Sequence, residues 1–161
     1  ERTADGVDIL ARSASMDVLI VATGTMATLA MEVHSMLAAQ GIGSTVIDPR
    51  WVIPVKQSIV EFSRQHRLVV SIEDGIRVGG IGTRIRQQMR AAGIDTGLQE
   101  IGLPDEFLEH ASRDEIMERV GLTPKAIARD ITAQVLGAKV PKARPLESDS
   151  VQSAEQREYE S

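Results

Sequence analysis

Three short apolar runs constrain the fold of this sequence more than any other feature. They lie at residues 18–22, 45–47 and 68–72. Each run is continuous and rich in β-branched residues, which is typical of strands that are covered on both faces in a parallel sheet. Apolar residues at helical spacing occur between the runs, so strands and helices alternate. The sequence therefore predicts an α/β domain.

The helical segments are predicted from apolar residues that recur on one face. These residues are Leu29, Val33, Met36 and Leu37, then Ile59 and Phe62, then Ile85, Met89 and Ala92, and finally Ile127, Ile131 and Val135. Ser112 and Glu115 have the spacing of a capping box, and Thr123 before Pro124 marks another helix start. Weaker strands are predicted at residues 98–101 and, as an edge strand, at residues 7–10.

Composition argues against several classes of function. The net charge is −5 and no basic stripe is present, which disfavours nucleic-acid binding. The absence of cysteine removes disulfides and thiolate chemistry, and fits the reducing cytoplasm, the location we expect. No apolar run approaches the roughly 18 residues of a membrane helix, so no membrane association is expected. The chain begins without Met, which suggests a fragment of a longer protein.

Two loops that follow predicted strands carry charged candidates. Arg50 is suited to binding a phosphate or carboxylate, with Asp48 orienting it. The interpretation that we favour is an Asp–Arg pair that stiffens a loop against another domain. Glu73 and Asp74 have the chemistry to share a proton or hold a divalent ion. Because adjacent strand residues point to opposite faces, a metal site there is the minor hypothesis.

A glycine-rich turn at Gly79, Gly80 and Gly82 precedes a predicted helix. Its amides are suited to an anion at a helix N-terminus, but tight turns use the same residues for steric reasons. We favour a turn, or close backbone approach by a partner domain. The histidines, at positions 34, 66 and 110, lack metal-ligand spacing, and neither a nucleophile elbow nor a dinucleotide fingerprint occurs.

Three motifs in order carry a family resemblance. They are residues 41–54, residues 72–74 with the glycine-rich turn, and residues 101–110, which begin Ile-Gly-Leu-Pro-Asp. Together they resemble the C-terminal domain of the 1-deoxy-D-xylulose-5-phosphate synthase family, within the transketolase-like superfamily. The resemblance covers about residues 8–136. It implies a three-layer α/β/α domain at residues 1–137 with a mixed five-stranded sheet whose first strand is antiparallel, and leaves 138–161 as an expected disordered tail.

The resemblance also implies a function for the complete enzyme. A transferase of this family uses thiamine diphosphate and Mg²⁺, converts pyruvate and glyceraldehyde 3-phosphate, and serves isoprenoid and thiamine synthesis. The preceding N-terminal and central domains hold that cofactor, so this chain is expected to carry no catalytic, cofactor or metal residue and to be inactive alone. It has no asparagine, which the family's cofactor motif requires.

The expected role of the chain is packing against the central domain in a homodimer. The residues expected at that contact are Asp48, Arg50, Glu73, Asp74, Gly79, Gly80 and Gly82. Two alternatives stay open. One is the matching domain of transketolase or of a 2-oxo-acid dehydrogenase β subunit, and the other is a freestanding module that binds an anionic regulator.

Overall fold

A computed structural model describes residues 1–106 and 111–137 as five strands and five helices. In chain order these are β1 (Asp8–Arg12), β2 (Val18–Ala22), α1 (Met26–Ala39), β3 (Ser44–Asp48), α2 (Gln57–Gln65), β4 (Leu68–Ile76), α3 (Ile81–Ala91), β5 (Gly97–Leu103), α4 (Arg113–Arg119) and α5 (Pro124–Val135). The three apolar runs form β2, β3 and β4, as the sequence predicts. No helix in the described ranges is long and apolar enough to cross a membrane.

The strands form one mixed sheet in the order β1-β3-β2-β4-β5. The last four in this order run parallel, and β1 is antiparallel to β3. β2 lies in the centre, with Val18 opposite both Ser44 and Leu68, and every residue of β2 is buried. The predicted mixed five-stranded sheet with one antiparallel strand is confirmed.

Helices cover both faces of this sheet. On one face, α1 and α5 enclose the larger core with residues such as Val33, Leu37 and Ile131. On the other face, α2 and α3 pack through Ile59, Ile85 and their neighbours. Alternate residues of each strand supply the two cores, because successive side chains of a strand point to opposite faces. The predicted three-layer α/β/α arrangement is confirmed.

Side chains satisfy the exposed amides at three helix starts. Ser112 and Glu115 form the predicted capping box of α4, and the Thr123 hydroxyl accepts a hydrogen bond from the amide of Ala126 in α5. At α2, the amide of Ser58 donates to the carboxylate of Asp5, 2.9 Å away. This last contact joins residues 53 positions apart, so sequence inspection does not reveal it.

Several expectations differ from the structure in detail. Ala92 is exposed and ends α3 instead of continuing its buried face. β4 extends to Ile76, so residues 73–75 lie within the strand and not in a turn after it. They form an irregularity, since Ile72 and Ile76 pair with Ile101 and Leu103 of β5. His110 and the expected tail at 138–161 lie outside the described residues.

Candidate functional site

The carboxyl ends of the four parallel strands share one edge of the sheet, which we call the carboxyl edge. After β2 the chain turns to the face of α1, whereas after β3 and β4 it turns to the face of α2 and α3. In open α/β sheets, ligands bind where neighbouring connections diverge in this way. The end of β2 is therefore the place where the topology favours a site.

No enclosed pocket marks that position among the cavities found in the described residues. One cavity of about 240 Å³ is lined by Arg67, Leu68 and Gly97 together with the end of α5, at the opposite edge of the sheet. Another, of about 380 Å³, is an open depression beside β1. Neither cavity is lined by any of the predicted site residues, which lie at the strand ends.

Glu73 occupies the N-terminus of α3 with its own carboxylate. Its Oε2 accepts a hydrogen bond from the amide of Ile81 at 3.3 Å, and a Cβ at Gly80 would overlap the carboxylate. Burial raises the pKa of Glu73 above its usual value, although hydrogen bonds from Ile81 and Gly82 oppose this effect. A carboxylate is favoured at this end of a helix dipole. The anion position that the glycine-rich turn offers is therefore filled from within the chain.

Two further glycines bring the family motifs into contact around Glu73. Gly82 is buried, and a Cβ there would overlap the side chains of Ser71 and Glu100. A Cβ at Gly102 would lie 2.7 Å from the carbonyl oxygen of Gly75. The missing side chains thus allow α3 and β5 to approach β4 closely. Steric need explains Gly82 of the glycine-rich turn and Gly102 of β5.

Asp74 points away from Glu73. Its carboxylate accepts a hydrogen bond at 2.7 Å from Arg113, at the start of α4 on the other face of the sheet. The two adjacent carboxylates therefore do not converge, as expected for neighbouring strand residues. Within residues 1–106 and 111–137, no group of three or more His, Cys, Asp or Glu side chains is arranged to hold a metal ion.

Asp48 and Arg50 interact, but not through their two charged groups. The Asp48 carboxylate accepts a hydrogen bond at 2.7 Å from the backbone amide of Arg50, whose φ is +57°. The guanidinium of Arg50 instead lies 3.4 Å from the carboxylate of Asp8, which also pairs with Arg2. Asp48 therefore restrains the loop through the backbone amide of Arg50 and not through the expected Asp–Arg ion pair, and the charge partner of Arg50 comes from β1.

Exposed apolar side chains crowd the same edge. Five of the eight large apolar residues exposed in the described part of the chain follow or end β3 and β4. We call these five the apolar crest: Trp51, Val52, Ile53, Ile76 and Val78. Trp51 is 70% exposed and Val78 is 73% exposed. The sequence predicted the charged candidates but not the crest, which the lone tryptophan between Pro49 and Pro54 could have signalled.

Two histidines have structural roles in the described ranges. Nδ1 of His66 lies 2.7 Å from the carbonyl oxygen of Phe62, and Nε2 lies 2.9 Å from the Thr45 hydroxyl. Burial lowers the pKa of His66. His34 is hydrogen-bonded to Ser44. Both side chains are therefore held by hydrogen bonds within the fold.

Comparison with known proteins identifies the family. The family described as "Transketolase, C-terminal domain" matches residues 8–127, which include all five strands and the motif segments around Glu73. The chain belongs to the transketolase C-terminal domain family. The three ordered motifs indicated this family, and that prediction is confirmed.

Its curated relatives include 1-deoxy-D-xylulose-5-phosphate synthases at high identity. The protein of that name from Clavibacter sepedonicus is 66% identical over 149 residues, which cover 92% of this chain and 23% of the relative. The synthase from Renibacterium salmoninarum is 58% identical over 155 residues, which cover 94% of this chain and 24% of the relative. This transketolase C-terminal domain therefore spans about a quarter of the length of the relatives that it matches.

Solved structures agree with the fold. A protein described as "Split gene transketolase, inactive beta4 tetramer" matches with a TM-score of 0.73 and 25% identity. The match covers 85% of this chain and 44% of that one. A 2-oxoglutarate:ferredoxin oxidoreductase from Magnetococcus marinus matches with a TM-score of 0.53 and 18% identity, covering 81% and 20%. The second likeness supports the fold of the transketolase C-terminal domain and nothing beyond it.

Proposed function

We propose that this chain is the non-catalytic C-terminal domain of a 1-deoxy-D-xylulose-5-phosphate synthase. The complete enzyme would convert pyruvate and glyceraldehyde 3-phosphate to 1-deoxyxylulose 5-phosphate and CO₂, in the cytoplasm, in support of isoprenoid and thiamine synthesis. The observation that carries this proposal is the 66% identity to such a synthase over 92% of the chain. At that level of identity, the matching segments of two proteins share more than a fold.

Thiamine diphosphate and Mg²⁺ would bind outside this chain. The residues present do not fit a diphosphate, because the Glu73 carboxylate already accepts from the amide of Ile81 at the N-terminus of α3. A bound diphosphate would meet that negative charge at close range. We therefore assign the cofactor to the remaining three quarters of the polypeptide, in the preceding N-terminal and central domains.

The domain would serve in assembly. Asp48, Arg50, Asp74 and Gly79 are at least partly exposed at the carboxyl edge, which supports contact with the central domain in a homodimer. Glu73 packs against Gly80, and Gly82 packs against Ser71 and Glu100. We therefore propose that Glu73, Gly80 and Gly82 support this edge from within the domain and do not touch the partner. The tetramer named in the description of the split-gene transketolase, whose chain is 44% covered, also supports a role in association.

The alternatives receive less support. Transketolases and a 2-oxo-acid oxidoreductase share the fold, but those examples are 18–25% identical, far below the synthases. A freestanding module that binds an anionic regulator would need the N-terminus of α3 to be open. The carboxylate of Glu73 fills that position and disfavours the module.

The test is an assay of the complete polypeptide with thiamine diphosphate and Mg²⁺. We expect CO₂ release from pyruvate that depends on glyceraldehyde 3-phosphate. The 161-residue chain under the same conditions should release none, which serves as the matched control. CO₂ release without that dependence would indicate a different thiamine enzyme, and a calorimetric titration with phosphates that detects binding to the 161-residue chain would favour the regulatory module.

A further inference from the structure

We infer that the apolar crest is the anchor through which this domain docks onto the preceding part of its own polypeptide, with Trp51 and Val78 at its centre. This inference rests on the proposed function, since it requires that the chain be one domain of a longer protein. It deepens that function by naming the contact as apolar and by identifying the side chains that anchor it.

The arrangement of the crest is that of a contact surface. β3 and β4 are separated only by β2, so the two strands run about 9.5 Å apart, at two strand spacings, and β4 extends past the end of β3 to Ile76. The loops that follow both strands lead to α2 and α3, which lie on the same face of the sheet. Between them lies the short connection at residues 23–25, made only of Thr and Gly. The crest thus consists of two apolar ridges, one after β3 and one at and after the end of β4, separated by a connection with small side chains.

Both ridges are held in place before any partner binds. The Trp51 amide donates to the Pro49 carbonyl at 2.6 Å, next to the hydrogen bond between Arg50 and Asp48. In the other loop, the amide of Arg77 donates to Leu103 of β5 at 3.0 Å. Preorganised loops lose little conformational entropy on binding. Such restraint of a backbone whose apolar side chains are 38–73% exposed favours a role in recognition.

Charged pairs border the crest on both sides. Asp8 with Arg50 lies beside the first ridge, and Asp74 with Arg113 lies beside the second. An apolar centre with a polar, solvated rim is the usual composition of a protein interface, and tryptophan is the residue most enriched at its energetic centre. A small-molecule site is less suited to this place, because ligand pockets are concave.

The size of the crest selects the partner. Five side chains are too few for a stable dimer between separate chains, which buries about 1,200–2,000 Å² or more. They suit a contact between domains of one chain, where about 600–1,500 Å² suffices because the linker supplies a high effective concentration. The relatives have about three quarters of their length outside the matched segment. The occupant that we infer is therefore an apolar recess on that remaining part.

The experiment compares variants of the complete polypeptide by limited proteolysis. We expect Trp51→Ala and Val78→Ala each to release the C-terminal domain about tenfold faster than the unmodified protein, because truncating a central anchor strongly weakens an interface. Leu136→Ala is the matched control, since Leu136 is 74% exposed but ends α5, at the other edge of the sheet. Trp51→Phe should restore most of the resistance. Far-UV circular dichroism checks that each variant is folded.

Three results would overturn the inference. Release as slow as in the unmodified protein would show that the crest is not an anchor. Equal acceleration in Leu136→Ala would show a general effect of losing apolar surface. Unchanged release with loss of dimers in sedimentation would assign the crest to a second copy of the chain. Turnover of the unmodified polypeptide is measured separately: if it shows no synthase activity but the crest variants release the domain, the proposed function fails and the docking surface stands.

Discussion

The carboxylate of Glu73 lies against the α-carbon of Gly80, and no room remains there for a side chain. The contact joins the irregular end of β4 to the first turn of α3, where Glu73 also accepts from the amide of Ile81. The glutamate accepts a hydrogen bond at the N-terminus of α3, and the glycine leaves the space that lets the carboxylate approach. The pair therefore explains why an acidic residue and a glycine-rich turn occur together in this sequence.

Gly80→Ala should destabilise the domain by about 1–3 kcal/mol, the usual cost of forcing an extra methyl into a packed site. The backbone at Gly80 has φ −72° and ψ −169°, which any residue can adopt, so the effect isolates the contact with Glu73. Urea unfolding followed by far-UV circular dichroism measures the change. In a double-mutant cycle with Glu73→Ala, the two losses should fall short of additivity by at least about 0.5 kcal/mol.

Gly97→Ala is the matched control for that cycle. Its Cβ would meet only Leu68 at 3.8 Å, an ordinary contact, so a small effect is expected. Equal losses for Gly80→Ala and Gly97→Ala, or strict additivity with Glu73→Ala, would contradict the steric relationship between Glu73 and Gly80.

Asp5→Ala should cost about 0.5–2 kcal/mol at pH 7, because it removes the carboxylate that caps α2 through Ser58. Burial raises the pKa of Asp5, but hydrogen bonds from Thr3 and Ser58 outweigh it and lower the value to about 2. A carboxylate with a depressed pKa in the folded state stabilises the fold above its unfolded pKa of about 4, and the stabilisation is lost as the pH falls to about 2.

Thermal unfolding at pH 7, 4 and 3 tests this dependence. The difference between the unmodified chain and Asp5→Ala should narrow as the pH falls, while Asp95→Ala, which removes an exposed carboxylate, should have little effect on stability at pH 7. A difference that stays constant down to pH 3 would exclude ionised Asp5 as the origin of the stabilisation.

His66 should make the fold less stable in mildly acidic solution. Burial lowers the pKa of His66 in the folded state, so unfolding takes up a proton between that lower pKa and the ordinary value of about 6.5. The contribution of neutral His66 is complete above pH about 6.5 and declines as the pH falls below it. Nuclear magnetic resonance titration of the His66 ring protons should give a midpoint below about 6.5. A midpoint above about 6.5 would contradict the prediction. The substitution His34→Gln removes one other histidine signal and simplifies the assignment.

Trp51 should fluoresce as a solvated indole in the 161-residue chain. It is the only tryptophan in the sequence and is 70% exposed, so urea should shift its emission maximum little and leave its quenching by acrylamide nearly unchanged. Circular dichroism should record the unfolding that this fluorescence does not. A blue-shifted native emission that moves to the red on unfolding would show that Trp51 is packed in the isolated chain.

Residue pattern and composition were enough to predict the fold class and most of its strands and helices. The runs of β-branched residues gave the buried parallel strands, and the capping box at Ser112 gave the start of α4, because both signals are local in sequence. The ends of β4 and α3 were less well predicted. Residues 73–75 remain in the strand because Gly102 of β5 leaves space for the displaced backbone of β4, which is a long-range condition.

At the carboxyl edge, the sequence alone determined which residue types were present and that they would meet at one edge, since parallel strands end together. Only the tertiary structure decided the partner of each. Arg50 pairs with Asp8 instead of Asp48, Asp5 caps a helix 53 residues away, and Glu73 closes the anion position of the glycine-rich turn. Periodicity fixes the direction of a side chain relative to its own element, but the contacts that it makes depend on how the elements pack in three dimensions.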